Sequence, residues 1–288
     1  DEILKQIESN IPGDHISLSS SIESGNKIKE HGVSDVTLSK LFKRQLLDFQ
    51  KLSVSHLLAV NNAANFSVPG SGKTTMTFAA IAKWLEDGII EKIMVISPYA
   101  SIIAWEEEFQ LCFGRRPNSV RAKGDLVAML PHGSDKIDIV FAHYQTANAR
   151  REDFRKFLEK YKTVLIIDES HNIKNPEVKK WASAALYLAQ FARRRIILSG
   201  TPMPNDARDL WTQITFLYPN ELPLGSVSTY TGAVKKRGLT EQYRNVVNSL
   251  FTRVKKSDIN LPEPKFIQVP VELGEHQREI YNAIAEKT

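Results

Sequence analysis

Cysteine is nearly absent: Cys112 stands alone in 288 residues. A disulfide framework and a cysteine-based zinc cluster are therefore excluded, and a reducing compartment fits. Long hydrophobic runs are missing too, since no apolar stretch approaches the ~20 residues of a membrane-spanning helix. The amino terminus lacks the charged-then-apolar pattern of a secretory signal. These absences predict a soluble, intracellular protein with no membrane association, in cytoplasm, nucleoid or nucleus. Internal repeats are absent, and the one biased tract is a serine-rich patch at residues 17–25. Neither charge sign dominates. The 38 Lys+Arg against 33 Asp+Glu leave +5 and a pI near 9.1, which a polyanionic partner or a merely solvated basic surface explains equally well. With 42% hydrophobic residues the chain can bury the core of one large domain or two small ones. It begins at Asp1 rather than Met, which suggests an excised or processed piece.

What is present is a series of short apolar segments separated by helical spacing. Residues 92–98, 137–142, 163–167 and 195–199 read as strands with no polar face, with a weaker strand at 119–123 followed by 124–130. Between them, residues 74–85, 102–109, 151–161 and 178–191 read as helices, most clearly where apolar residues fall three and four apart. Such alternation predicts an α/β fold, a mostly parallel sheet covered by helices on both faces, with ligands beyond the strands' carboxyl ends. Residues 41–60 read as one amphipathic helix before a strand at 64–67, and residues 1–40 as a loosely structured polar extension. After Asp206 the pattern is mostly helical, broken at Pro219, Pro223 and Gly225 and stopped at Leu261-Pro262-Glu263-Pro264. Residues 266–271 are strand-like, and 275–284 begin a helix.

The stretch Phe66-Ser67-Val68-Pro69-Gly70-Ser71-Gly72-Lys73-Thr74-Thr75 joins a strand end, a glycine-bearing loop and a first helical turn. Small residues there let backbone N–H groups converge on an anion at the positive end of the helix dipole. Pro69, Gly70, Ser71, Gly72, Lys73, Thr74 and Thr75 are the candidate nucleotide-binding residues, with Lys73 reaching the β/γ-phosphates of ATP and Thr74 the Mg²⁺. Ser67 stands where the strict G-x-x-x-x-G-K-[ST] pattern has its first glycine. Asp168-Glu169 follow the strand-like Thr163-Val164-Leu165-Ile166-Ile167. Hydrolysis at a phosphate loop needs a carboxylate to hold Mg²⁺ and a group to orient the attacking water. Asp168 fits the first role and Glu169 the second, so Lys73, Asp168 and Glu169 form the candidate catalytic set. An isolated Asp-Glu is more often a solvated helix start, but the upstream Gly-Ser-Gly-Lys-Thr makes that the minority reading.

These residues carry a resemblance. Asp168-Glu169-Ser170-His171, running into Asn172-Ile173-Lys174-Asn175, resembles the Walker B box of superfamily-2 helicases, specifically their Swi/Snf-like branch. Leu46-Leu47-Asp48-Phe49-Gln50 is similar to the glutamine box, which implies adenine recognition by Gln50. Ser97-Pro98 with Trp105-Glu106-Glu107-Glu108-Phe109, and Phe141-Ala142-His143-Tyr144-Gln145-Thr146, resemble boxes whose loops touch the nucleic-acid backbone. That implies Ser97, Pro98, Tyr144 and Thr146 as nucleic-acid residues. Leu198-Ser199-Gly200-Thr201-Pro202 resembles the coupling box, implying that His171, Ser199 and Thr201 transmit nucleotide state toward the DNA loops. Arg253-Val254-Lys255-Lys256-Ser257-Asp258 and Leu261-Pro262 look like the bridge into a second lobe. The departures are Ser67-Val68 in place of an acidic pair, Gly70-Ser71-Gly72 in place of Gly-Leu-Gly, and Asn172 where a basic residue is common.

The resemblance implies a RecA-like lobe at residues 41–265 and the start of a bridge at 266–288. It implies ATP and Mg²⁺ as cofactors, double-stranded DNA as the nucleic-acid partner, a second RecA-like lobe, and room for protein partners. Arginine fingers from the second lobe would be outside this segment, so the segment alone is expected to hydrolyse ATP poorly. The alternatives are a non-catalytic nucleotide- or partner-binding module and a strand-separating helicase lobe. A P-loop kinase would leave the Ser199-Gly200-Thr201-Pro202 box without a purpose. Other residues are read more plainly: Trp105 and Trp211 as packing residues, Glu106 to Glu108 as a solvated face. Arg115-Arg116, Arg193-Arg194-Arg195 and Lys235-Lys236-Arg237 are read as exposed charge or phosphate contacts.

Overall fold

The computed structural model describes residues 17–32, 36–124, 126–133, 135–174, 180–259 and 267–285. Its centre is a seven-stranded sheet, all parallel, in the order β3-β4-β2-β5-β6-β1-β7. The strands are β1 (Ala63–Asn65), β2 (Lys92–Ile96), β3 (Ser119–Arg121), β4 (Ile139–Ala142), β5 (Thr163–Asp168), β6 (Arg194–Leu198) and β7 (Phe251–Thr252). Strands β1, β2 and β4 are buried along their whole length, the pattern of a sheet covered on both faces. The α/β fold expected from the sequence is thus the observed one.

Register decides where chemistry lies. Asn65 and Asp168 both pair with Leu198, while Ile96 pairs with Ile167 and Ala142. The residues that leave β1, β5, β6, β2 and β4 therefore emerge at one level along one sheet edge. The strand order also sets β6 between β1 and β5. With ~4.8 Å between strands, the loop after β1 and the carboxylate ending β5 stand about 10 Å apart, flanking the Ser199 turn.

Helix α1 (Leu18–His31) corrects, over its own length, the reading of residues 1–40 as loosely structured. The serine patch is its start: Ser17 is the N-cap and accepts the N–H of Ser20. Its fully buried residues are the small Ser21 and Gly25, and only Leu18 and Ile22 pack beside them, a weak apolar signal within a serine-rich stretch. Helix α2 (Asp48–Val60) begins later than the expected residue 41, because Gln50 turns its side-chain oxygen back onto the N–H of Leu47 and closes the first turn there. Residues 267–271 form no strand and are exposed, the alternation of Ile267, Val269 and Val271 having no neighbouring strand to join. Expectations for residues 1–16, Asn175, the start of the helix at 178, the stop at 261–264 and Phe266 fall outside the described residues.

Candidate nucleotide site

The phosphate loop leaves β1 and enters helix α3 (Lys73–Glu86) with Gly72 as the N-cap. Gly70 and Gly72 have φ of 80° and 81°, the left-handed region that glycine enters without steric cost. Gly72 is also closely approached: a Cβ there would lie 2.4 Å from Nε2 of Gln50, and that amide would have to shift. Gln50, expected at the adenine, is buried and directed at the loop: its Nε2 donates to the Ser71 carbonyl at 3.0 Å. Ser67 explains its own departure from glycine. Its hydroxyl accepts the Val254 N–H at 2.9 Å, while Phe66 and Val68 donate to Thr252 and Val254 carbonyls, extending the β1–β7 pairing into the loop. Strand β7 is thus the edge strand beside this loop, and Arg253-Val254, read as the start of the bridge, carry its pairing on past the strand end.

Lys73 Nζ folds back to donate to the Ser67 carbonyl at 3.1 Å. Burial pushes its pKa down, and the charges of Glu169 and Asp168 oppose that shift. A half-buried ammonium with two carboxylates close enough to act on it and no acid side chain bonded to it suits an incoming anion. The Ser71 hydroxyl is buried without a partner. Thr75, expected as a nucleotide residue, instead donates its hydroxyl to Glu108.

Across the Ser199 turn, Asp168 receives two donors: Trp105 Nε1 to Oδ2 at 3.0 Å and the Glu169 N–H to Oδ1 at 3.0 Å. Glu169 sits in the left-handed region at φ 53°, which costs a non-glycine residue ~1–2 kcal/mol. Its carbonyl is held by Asn172 through both the backbone N–H at 3.0 Å and Nδ2 at 2.9 Å, with the Tyr144 hydroxyl at 3.3 Å. The surroundings therefore enforce a conformation that lifts the Glu169 side chain out of the strand's path. His171 Nδ1 lies 3.2 Å from Glu169 Oε2 but outside hydrogen-bond geometry.

The coupling residues divide. Ser199 is buried and its hydroxyl accepts the Thr201 N–H, whereas Thr201 is exposed. Gly200 packs on the phosphate loop, where an added Cβ would meet Pro69 Cδ at 3.0 Å. The nucleic-acid residues divide as well. Pro98 and Thr146 are partly exposed, but Ser97 is wholly buried, and Tyr144 is buried with its hydroxyl on the Asp168 carbonyl. Tyr99 takes the exposed position, stacked on His143 with ring centroids 4.6 Å apart.

Three functional residues escaped sequence reasoning. Trp105 packs as expected but also bonds Asp168. Glu108 is no solvated acid, since it accepts from Thr75 and pairs with Arg44; Glu106 likewise pairs with Arg121. Gln213 on helix α9 (Leu210–Leu217; the helices α4 to α8 between are Ile102–Phe113, Leu126–Gly133, Tyr144–Ala149, Arg151–Lys160 and Lys180–Ala189) is fully buried. It accepts from Ser170 at 2.6 Å and donates to the Pro202 carbonyl at 2.7 Å, joining the acidic box to the coupling box. Trp105 and Glu108, one turn apart in a box already flagged, were the available signal; Gln213 had none. The basic groups contract too. Arg195 is half-buried, and its guanidinium donates to the carbonyls of Ala189, Ala192 and Leu217, closing the ends of α8 and α9, with desolvation lowering its pKa to about 10. Arg115 forks onto Asp138.

Comparison with known proteins bears on the same site. The SNF2-related domain family matches residues 66–288. The CHD3-type chromatin-remodeling factor CHR7 of Arabidopsis thaliana is 26% identical over 233 residues, covering 75% of this chain and 18% of that protein. The solved Sulfolobus solfataricus SWI2/SNF2 ATPase core domain superposes with a TM-score of 0.63 at 26% identity, over 89% of this chain and 54% of its own. The same core solved in complex with dsDNA gives 0.65 at 24% identity, over 88% and 54%, a likeness of fold. The chain thus spans about half the solved cores and less than a fifth of the curated relative.

Proposed function

The chain belongs to the SNF2-related domain family, and from that premise we infer that it is the first RecA-like lobe of an ATP-dependent motor on duplex DNA. One observation carries the reading: a single row of sheet register brings the phosphate loop, Asp168-Glu169 and the Ser199-Gly200-Thr201 turn to one edge. ATP, when bound, would supply the phosphoanhydride whose cleavage drives movement, and Mg²⁺ would neutralise charge on its phosphates. In this reading Gly70 and Gly72 open the backbone to phosphate oxygens, and Lys73 exchanges its Ser67 carbonyl for them. Thr74 and Asp168 would hold the metal, and Glu169 would orient the attacking water. Gln50 supports the loop from behind as well as lying on the adenine side. His171, Ser199 and Thr201, joined through Gln213, pass the state of the site toward Pro98 and Thr146, where the duplex backbone would lie.

Residues 41–265 as the lobe, 266–288 as the way toward a second lobe, and an intracellular place with access to DNA belong to the same proposal. Among the described residues no helix is long and apolar enough to cross a membrane. An arginine finger from a facing lobe is worth ~10³–10⁵ in rate, so residues 1–288 by themselves are expected to turn over slowly. The test is ATPase activity, with and without DNA, of a longer chain containing these residues. Glu169→Gln should keep ATP binding and lower turnover by at least ~10²-fold. Unchanged turnover would remove Glu169 from catalysis, and a wild-type chain that binds ATP without hydrolysis would make this a binding module.

A further inference from the structure

Helix α4 touches both halves of the nucleotide site. From one turn it sends the Trp105 indole N–H to Asp168 Oδ2, and from the next it sends Glu108 to the Thr75 hydroxyl in the first turn of α3. Neither contact is exposed chance. Trp105 is 2% accessible, and the Glu108 charge is balanced by Arg44. The two helices are also locked together by rings: Phe78 of α3 meets Trp105, Phe109 and Phe113 edge-on, with centroids 5.2, 5.5 and 5.7 Å away. Rings in that arrangement fix one another's orientation, so the indole N–H has one direction available to it.

The amino end of α4 follows directly from the turn Tyr99–Ser101. Tyr99 is exposed there, stacked on His143 beyond the end of β4 and approached by Lys123, whose Nζ lies 5.2 Å from the ring centroid. One rigid helix therefore runs from an exposed, cation-bearing ring pair to the carboxylate of β5 and the first turn of α3.

We propose that Trp105 and Glu108 are positioning residues of the nucleotide site. Trp105 holds the Asp168 carboxylate in one orientation for the metal shell, Glu108 holds the start of α3 through Thr75, and α4 refers both to the strand-end turn at Tyr99. The proposal rests on the nucleotide-site reading above. Asp168 has one donor on each oxygen and so keeps lone pairs free for a hydrated cation. Without the indole donor the carboxylate keeps only the Glu169 N–H as a tether and its orientation loosens, so metal-dependent binding weakens while phosphate contacts at the loop stay.

Trp105→Phe tests this in residues 1–288, because it keeps a ring against Phe78 and removes the N–H. Calorimetric titrations use ATP with MgCl₂ and ATP with EDTA. Hydrogen bonds to a charged group carry enough energy for the gain in ATP affinity on adding MgCl₂ to fall about tenfold. The affinity in EDTA and the unfolding midpoint should stay close to wild type. In an Asp168→Ala background, Trp105→Phe should add no further loss. An equal loss in both titrations, or a further loss in that background, makes Trp105 a packing residue and overturns the proposal. Should the variant not fold, the wild-type indole N–H resonances decide. The Trp105 signal should shift with ATP and MgCl₂ together and not with ATP and EDTA, and a signal indifferent to metal overturns the proposal equally. A wild-type chain whose ATP affinity ignores both MgCl₂ and Lys73→Ala refutes the nucleotide-site reading itself, and the positioning role falls with it.

Discussion

Replacing Gly72 by alanine separates two costs that the loop geometry keeps distinct. The first is conformational: at φ 81° an L-residue costs ~1–2 kcal/mol. The second comes from Gln50. The new Cβ would sit 2.4 Å from its Nε2, so the amide must swing away. It then gives up the bond to the Ser71 carbonyl and the bond from the Leu47 N–H, both 3.0 Å, at about 1 kcal/mol each. The sum is about 3–4 kcal/mol. Gly70→Ala is the internal control, with φ 80° and no atom within 4 Å of its Cβ, and should cost only ~1–2 kcal/mol. Urea unfolding followed by tryptophan fluorescence should place Gly72→Ala about 2 kcal/mol below Gly70→Ala. Introduced beside Gln50→Ser, Gly72→Ala should fall to the cost of Gly70→Ala. Equal costs for the two glycines, or no relief in the double variant, would refute the view that Gln50 braces the loop.

Other outcomes follow from buried groups. His56 donates from Nε2 to the Ser249 carbonyl at 2.9 Å, and burial, with the charge of Lys29, lowers its pKa to about 4. Between pH 6.5 and 4 the unfolded chain binds a proton that the native one refuses, so stability is full above 6.5 and drains by about 3 kcal/mol as pH falls to 4. Unfolding free energy against pH should show this slope in the wild type and lose it in His56→Gln; identical slopes would assign it to other groups. Gly25→Ala places a Cβ 2.0 Å from the Ser249 carbonyl oxygen, a backbone atom, and should push α1 off the lobe at ~1–3 kcal/mol despite alanine's better helix propensity. A stabilised variant in the same urea assay would show that α1 does not dock through Gly25.

The legible parts of the site share a property. In the stretch from Pro69 to Thr75 and in Asp168-Glu169, the chemistry lies in consecutive residues whose local geometry is set by the strand before and the helix after. Both were found where expected, at the carboxyl ends of β1 and β5. Helix α1 was hard to read because the residues it buries fully are the small Ser21 and Gly25, with only Leu18 and Ile22 packing beside them at helical spacing. Tyr144 was given a nucleic-acid role because its box resembles a backbone-contacting loop; burial turned its hydroxyl inward to Asp168 instead. Arg195 looked like one of three exposed cations, and only the packing of α8 and α9 around it shows that it closes helix ends.

The sequence by itself determined the parallel α/β sheet and the placing of the glycine-bearing loop and of Asp168-Glu169 at strand ends, because hydrophobic alternation and short glycine-bearing turns are properties of neighbouring residues. The tertiary structure decided which side chains brace those groups. Trp105 reaches Asp168 across 63 positions, Thr75 reaches Glu108 across 33, and Ser170 reaches Gln213 across 43. Such partners are chosen by strand order and helix packing, which bring distant positions within 3 Å, and no local pattern in the chain records that choice.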